Sequence, residues 1–342
     1  MLQKISPQAL RIIALVAVLA LITLFFTSQI EGFLNGRLFN RISSSVAIMA
    51  LVATGQTLVI LTRNIDLSVG SVVGFVAFAA GSMITNHPDL SPAVLLAYSA
   101  LLGAGFGLIN GLLVAYARVP SIIVTLATMA LFRSTLVEYS DGKSITTDNL
   151  PGWLTDFPNM VVFGVGQMEF RAGFCASVLV VIIAHVAMTK LRPARQLYAV
   201  GSNPEAADLA GIDAARVVLV AFVLSGLMAG LAGFMFLARF GNITVVAGLG
   251  FELKSVASAV VGGVNIFGGS GSVIGALLGA ILVDLLETGL VRWAVVSEFW
   301  REAVLGTLIL AAVATDTIIS RRLASARAAR AQKEALATRV VK

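Results

Sequence analysis

Asp66 and Glu252 each open a long apolar run, within Asp66-Leu67-Ser68-Val69-Gly70 and Glu252-Leu253-Lys254-Ser255-Val256-Ala257. A carboxylate embedded in an apolar segment is costly and marks a functional position by default. It can accept hydrogen bonds from solute hydroxyl groups, pair with Arg63 or Arg133, or cap the backbone of its own helix. Arg133 lies well inside another apolar run and needs a partner or water of its own. Gln56, Asn64, Ser68, Ser255 and Asn265 extend the set of polar side chains able to line a passage. Weak, reversible hydrogen bonding is the chemistry these types support.

Bond-breaking chemistry has little footing. Gly142-Lys143-Ser144 imitates the end of a phosphate-binding loop, but the first glycine of that pattern falls on Val137. Gly268-Gly269-Ser270-Gly271-Ser272 lacks the lysine of such a loop and the final glycine of a nucleophile elbow. His87 and His185 are far apart and solitary, no His-Glu-x-x-His occurs, and Cys175 is the one cysteine. Neither a metal site, a nucleotide site nor a membrane-embedded hydrolase is expected, and no cofactor.

The surrounding chain must hold these polar groups in an apolar medium. Of 342 residues, 58% are hydrophobic and 12% charged, about half the ~25% charge of a soluble domain. The mean hydropathy is +0.94. Such a chain has too little polar surface to cover a soluble core and reads as an all-α polytopic membrane protein. Segments long enough to cross a bilayer fall near 10–28, 45–62, 67–85, 92–116, 121–140, 172–189, 216–238, 253–267, 270–287 and 302–320, about ten in all. The third and eighth are rich in Gly and Ser and are the candidates for broken or re-entrant spans.

Charge orients them. The net +6 resides in the tail, 321–342, and the rest of the chain is balanced. That tail reads as a positive-inside signal rather than a nucleic-acid site. Lys4 and Arg11 flank the first span, and Lys190, Arg192 and Arg195 lie between the sixth and seventh. Ten spans with both termini cytoplasmic put every basic cluster inside and the acidic stretch 138–171 outside. The first span lacks a clear cleavage site and is expected to be retained. Trp153 and Trp293 fit outer-interface anchors.

Two features recur five spans apart. Gly103, Gly107 and Gly111 form a small-residue ladder in the fourth span, and Gly271, Gly275 and Gly279 form one in the ninth. Such ladders let helices approach closely. The acid-led starts of the third and eighth spans are the second pair. An odd offset implies an inverted five-helix repeat, a common transporter plan with the pathway near the repeat interface.

The loop between the sixth and seventh spans predicts a two-turn helix over 204–210. Asn203 is its N-cap, Pro204 its first residue, Glu205 a favourable acid in the first turn, and Gly211 its stop before Ile212. Ala206 and Asp208 lie on its body. So short a helix is not stable alone. The loop is either an ordinary capped connector or a surface that receives a push from a soluble motor.

With these residues on the page, the chain resembles the membrane permeases of ribose-type ABC importers, the bacterial monosaccharide uptake systems. The resemblance is carried by Gly55-Gln56-Thr57-Leu58-Val59-Ile60-Leu61-Thr62 followed by Asn64-Ile65-Asp66-Leu67-Ser68-Val69-Gly70-Ser71, and by Tyr198-Ala199-Val200-Gly201-Ser202-Asn203 through Gly211-Ile212. Gly250-Phe251-Glu252-Leu253, Val261-Gly262-Gly263 and Phe267-Gly268-Gly269-Ser270-Gly271 carry it toward the end. Thr62-Arg63-Asn64-Ile65-Asp66 looks nearest to the permeases of autoinducer-2 and rhamnose systems, whereas Arg292, Trp293, Trp300 and Arg301 depart from the ribose pattern.

The resemblance implies one permease domain spanning 1–342 in the bacterial inner membrane, with a cytoplasmic coupling segment over 190–215. It implies alternating access and pairing with itself or a similar permease. A cytoplasmic ABC ATPase would bind ATP and Mg, and a periplasmic sugar-binding protein would deliver the solute. The alternative is an ion-coupled secondary sugar transporter using Asp66 or Glu252.

Overall fold

A computed structural model describes residues 7–293 and, beyond them, 297, 300, 302–304, 306–311 and 314. The basic tail, and residues 305, 312, 313 and 315–320 of the tenth expected span, lie outside the described residues. In chain order the helices are α1 Pro7–Gln29, α2 Gly36–Leu61, α3 Val69–Asn86, α4 Pro92–Ala115, α5 Ser121–Ser140, α6 Gly152–Asp156, α7 Ala172–Lys190, α8 Arg192–Ser202, α9 Pro204–Leu209, α10 Ala214–Phe240, α11 Phe251–Val261 and α12 Val273–Arg292. An antiparallel hairpin, β1 Val161–Val165 and β2 Met168–Arg171, sits between α6 and α7. Among the described residues, eight helices are long and apolar enough to cross a membrane. The chain is a multi-pass all-α membrane protein.

Local chemistry sets the helix starts. Side-chain oxygens of Asn35, Asp213 and Ser272 accept the amides of Leu38 at 2.8 Å, Arg216 at 3.0 Å and Gly275 at 3.0 Å, each satisfying an orphan donor. Ser91 with Pro92 at the first position starts α4.

Burial ranks the helices by position. α2 is almost wholly enclosed and packs on α10, α12, α7 and α11. α1 packs chiefly on α12 and turns Ile13, Leu21 and Leu24 outward. α4, α5 and α7 likewise leave long apolar side chains exposed, as a lipid-facing ring must. Trp293 and Trp153 are engaged by protein: Trp293 meets the Phe25 ring edge-on at 5.4 Å, and Trp153 packs against the main core.

The third and eighth spans differ from each other. α3 is an unbroken 18-residue helix, and the irregular stretch, 62–68, precedes it. The eighth, a candidate for a broken span, is helical over only part of 253–267: the helix ends at Val261 and residues 262–267 are a loop. α11 has 11 residues, about 16 Å at 1.5 Å per residue and half of a ~30 Å hydrocarbon layer. Residues 241–250 lead into it as a non-helical descent, with Gly241, Gly248 and Gly250 at positive φ. Protein covers that descent: the carbonyls of Ala247 and Gly248 press on Gly74 and Gly70 of α3 where any Cβ would collide.

The two glycine ladders have different partners. Gly103 and Gly107 let α4 seat directly on Gly226 and the Phe222 carbonyl of α10, and Gly111 abuts Leu219 and Phe222. Gly275 and Gly279 instead face Gly262 and the Ser258 carbonyl at the end of α11. Gly271, expected as a helical rung, lies in the loop before α12 with φ +150°, because Ser272 caps the helix one residue later. Gly107→Ala is expected to destabilise the protein by about 1–3 kcal/mol, since the new methyl meets backbone that cannot yield. Thermal unfolding in detergent measures it, with the open-sided Gly105→Ala as the neutral control.

Candidate functional site

Where α2 stops, the chain makes a buried polar junction. Thr62 ends the helix, and Arg63 adopts φ +66°. The amides of Arg63 and Asn64 return to the carbonyls of Ile60 at 2.9 Å and Val59 at 3.3 Å, a Schellman closure that normally takes glycine. Arg63 is held there by its side chain. Its guanidinium donates to the carbonyls of Gly201 and Ser202, each at 2.6 Å, which satisfies the free carbonyl end of α8.

Three residues beyond Arg63, Asp66 is buried. Its Oδ1 accepts the Ser68 amide at 3.0 Å and the Ser68 hydroxyl at 2.7 Å, and its Oδ2 accepts the Ser225 hydroxyl at 3.5 Å. Asn110 donates to Ser68 Oγ at 2.8 Å. The Gln56 amide, oriented to satisfy both groups, donates to the Asp66 carbonyl at 3.0 Å and accepts the Asp66 amide at 3.3 Å. Ser121 and Thr125 of α5 hold the backbone of Ile65. The segment 62–68 is thus pinned by α2, α4, α5 and α10. Gln56, Asp66 and Ser68 come together; Asn110 and Ser225 join them and were missed by the sequence reading. Their signal was a lone Asn beside Gly111 and a Ser before Gly226 in otherwise apolar helices.

The remaining candidates lie elsewhere. Neither carboxylate forms an ion pair with an arginine among the described residues. Arg133 donates to the carbonyls of Val245 and Ala247 at 2.7 Å each and so braces the non-helical descent. Glu252 accepts the Gly250 amide at 3.1 Å, and its other oxygen abuts Gly70. Ser255 turns back on the Glu252 carbonyl at 2.9 Å. Asn64 folds onto Thr62, with its Nδ2 at 2.9 Å from that carbonyl. Asn265 accepts the Phe267 amide at 2.8 Å and builds the turn in loop 262–272. Asn64 and Asn265 shape turns because an Asx side chain competes well for nearby backbone.

The second cluster is the segment after α7. α9 begins at Pro204 with Asn203 Oδ1 accepting the Ala206 amide at 3.1 Å. It closes with a second Schellman motif: Gly211 has φ +78°, its amide meets the Asp208 carbonyl at 2.9 Å, and the Ile212 amide meets the Ala207 carbonyl at 3.0 Å. Ala207 is buried beneath the helix, whereas Glu205, Ala206 and Asp208 are exposed and Leu209 is 92% exposed. The amphipathic α8 ties this cap to the bundle. Gly201 lies directly against the Leu61 carbonyl, and the Gly269 amide donates to that same carbonyl at 3.0 Å. Tyr198 donates its hydroxyl to the Gly271 carbonyl at 3.2 Å, and burial pushes its pKa up, keeping it a neutral donor. The end of α2, the end of α8 and loop 262–272 therefore form one hydrogen-bonded unit beneath α9.

Comparison with known proteins places this architecture. The model of a family described as branched-chain amino acid transport system / permease component matches residues 38–313. The autoinducer 2 import system permease protein LsrC of Yersinia enterocolitica is 35% identical over 303 residues, 89% of this chain and 81% of the relative. LsrC of Escherichia coli O9:H4 is 36% identical across 88% of this chain and 85% of the relative. LsrC of Salmonella paratyphi B is 35% identical across 88% and 84%. No solved structure matches the chain. A match across most of the spans, the buried junction and the α9 segment together establishes that the chain belongs to the branched-chain amino acid transport system / permease component family.

Proposed function

We propose that the chain is the membrane subunit of an ABC importer that moves a sugar-like solute across the bacterial inner membrane by alternating access. Autoinducer 2 is the leading substrate, because the relatives that span most of the chain are permeases of autoinducer 2 import; rhamnose is second. Both termini lie in the cytoplasm, so α8 and α9 face the motor and the β-hairpin faces a periplasmic binding protein. The ATPase is a separate chain that binds ATP and Mg, and a second permease, identical or homologous, completes the complex.

The observation that carries this reading is α9. A fully exposed leucine on a helix too short to fold alone calls for a protein surface to cover it. Force applied there passes through α8 to the Leu61 carbonyl and to loop 262–272, and so to α2 and α11. The ion-coupled alternative drawn from the sequence uses Asp66 or Glu252 as the exchanging carboxylate. Asp66 and Glu252 are both held by hydrogen bonds within their own segments.

Reconstitution with the neighbouring ATPase and binding protein tests the proposal. Uptake of autoinducer 2, rhamnose, ribose and xylose is compared with and without ATP. Vanadate-sensitive uptake of one solute is expected. Uptake that persists without ATP and collapses with a protonophore would instead establish ion coupling.

A further inference from the structure

Two adjoining cavities of about 180 and 150 Å³ lie among α2, α10, α11 and α12. Ser45, Arg239, Asp284 and Glu287 line both; Lys254 closes one side and Arg41 the other. For a chain with 12% charged residues, five charges around one space is a strong concentration, and intramembrane charge marks solute pathways. None of the polar side chains considered above lines it.

The charges are not all spent on one another. Lys254 Nζ meets Glu287 Oε2 at 2.7 Å and joins α11 to α12. Asp284 faces Ser45, with Lys254 and Arg239 within electrostatic reach. Its Oδ2 is buried and has no hydrogen-bond partner among the described residues, an arrangement that calls for a donor from whatever fills the space. Arg239 lies over the Phe240 ring at 5.0 Å and forms no ion pair among the described residues. The space is too large for a single water and has room for a small solute. Arg41 is exposed on its rim, near the start of α2.

We propose that this cavity is the solute-contact station of the permease and that it takes a neutral polyhydroxylated molecule. Asp284 accepts from one or two hydroxyls, Arg239 and Ser45 donate to hydroxyl oxygens, and Phe240 offers an apolar face to ring C–H groups. Lys254 and Glu287 neutralise each other, and Arg239 offsets Asp284, so the interior of the cavity carries no net charge that would call for an ionic solute. The inner wall is α11, whose opposite end leads into the loop beneath α9, so a stroke at α9 acts on the Lys254–Glu287 pair. The proposal rests on the importer reading above and adds where the solute is held.

The test uses the complete complex in vesicles, with autoinducer 2, ribose and rhamnose as probes. Asp284→Asn and Arg239→Gln are expected to lower uptake at least tenfold while still co-purifying with the ATPase. Uptake within twofold of wild type for both would overturn the proposal. A second measurement covers variants that fail to assemble. Ser45→Cys in a Cys175→Ser background is treated with a membrane-impermeant maleimide; labelling from the periplasmic side that slows at least threefold with the transported solute is expected. A cysteine that is unreactive, or that reacts at a rate indifferent to the solute, would overturn it. If the wild-type complex takes up none of the probes, the importer reading fails in that arm, and this site falls with it.

Discussion

Leu209→Gln is expected to lower ATP-driven uptake by about thirtyfold or more while the permease remains folded and in the membrane. Leu209 is 92% exposed at the end of α9 and contributes little to the fold. Gln retains good helix propensity, and the caps at Asn203 and Gly211 are untouched. What the change removes is an apolar anchor at the proposed docking surface. Central anchors in interfaces are worth about 2 kcal/mol or more, equivalent to some thirtyfold in association. Glu205→Lys should act in the same direction by reversing charge at the positive end of the helix and on the surface offered to the ATPase. Co-purification with the ATPase and uptake in vesicles are read together. Normal uptake in both variants would remove α9 from the coupling path.

Asp66 carries the second large effect, on stability. Asp66→Leu would leave the amide and hydroxyl of Ser68 without their acceptor and weaken the hold on Ser225, all inside the protein. Each buried group left unpaired costs about 1–3 kcal/mol, so a loss of roughly 3–6 kcal/mol is expected. Asp66→Asn should cost about 1 kcal/mol or less, because the amide oxygen can still accept from Ser68. Apparent melting temperatures in detergent distinguish the two, with uptake measured on the protein that remains folded. If Asp66→Leu is as stable as wild type yet inactive, Asp66 contacts solute and does not anchor the junction.

The contrast between Asp66 and Asp284 explains which parts of the site were legible. Both are acids in apolar segments, and both satisfy the rule that such acids are functional candidates. Asp66 stands beside Ser68 in the chain, so its partner was visible at short range. Asp284 stands in a helix whose neighbours in sequence are Val283 and Leu285. Its significance comes from Arg239 and Lys254, on different helices, and nothing local indicates that they share a cavity. Arg133 shows the reverse error. An arginine in a span suggests a carboxylate partner, but an irregular backbone presents unpaired carbonyls, and two of those meet the guanidinium instead.

Composition alone determined that the chain is a polytopic helical membrane protein, because 58% hydrophobic residues cannot be hidden in a soluble domain of this size. Local order determined α9, since its cap, first proline and closing glycine all act within a few residues of one another. The kinship was legible in the same way, in short runs such as Asn64-Ile65-Asp66-Leu67-Ser68. Tertiary structure decided the rest. It shortened the eighth span to a half-helix because α3 offers glycines against which bare backbone can pack. It gave the two glycine ladders different partners, and it turned Asn64 and Asn265 into turn-builders at the α9 end. It also brought charges from four helices around one space. Periodicity records which face of a helix is apolar, but which helix meets that face depends on contacts tens to hundreds of residues apart.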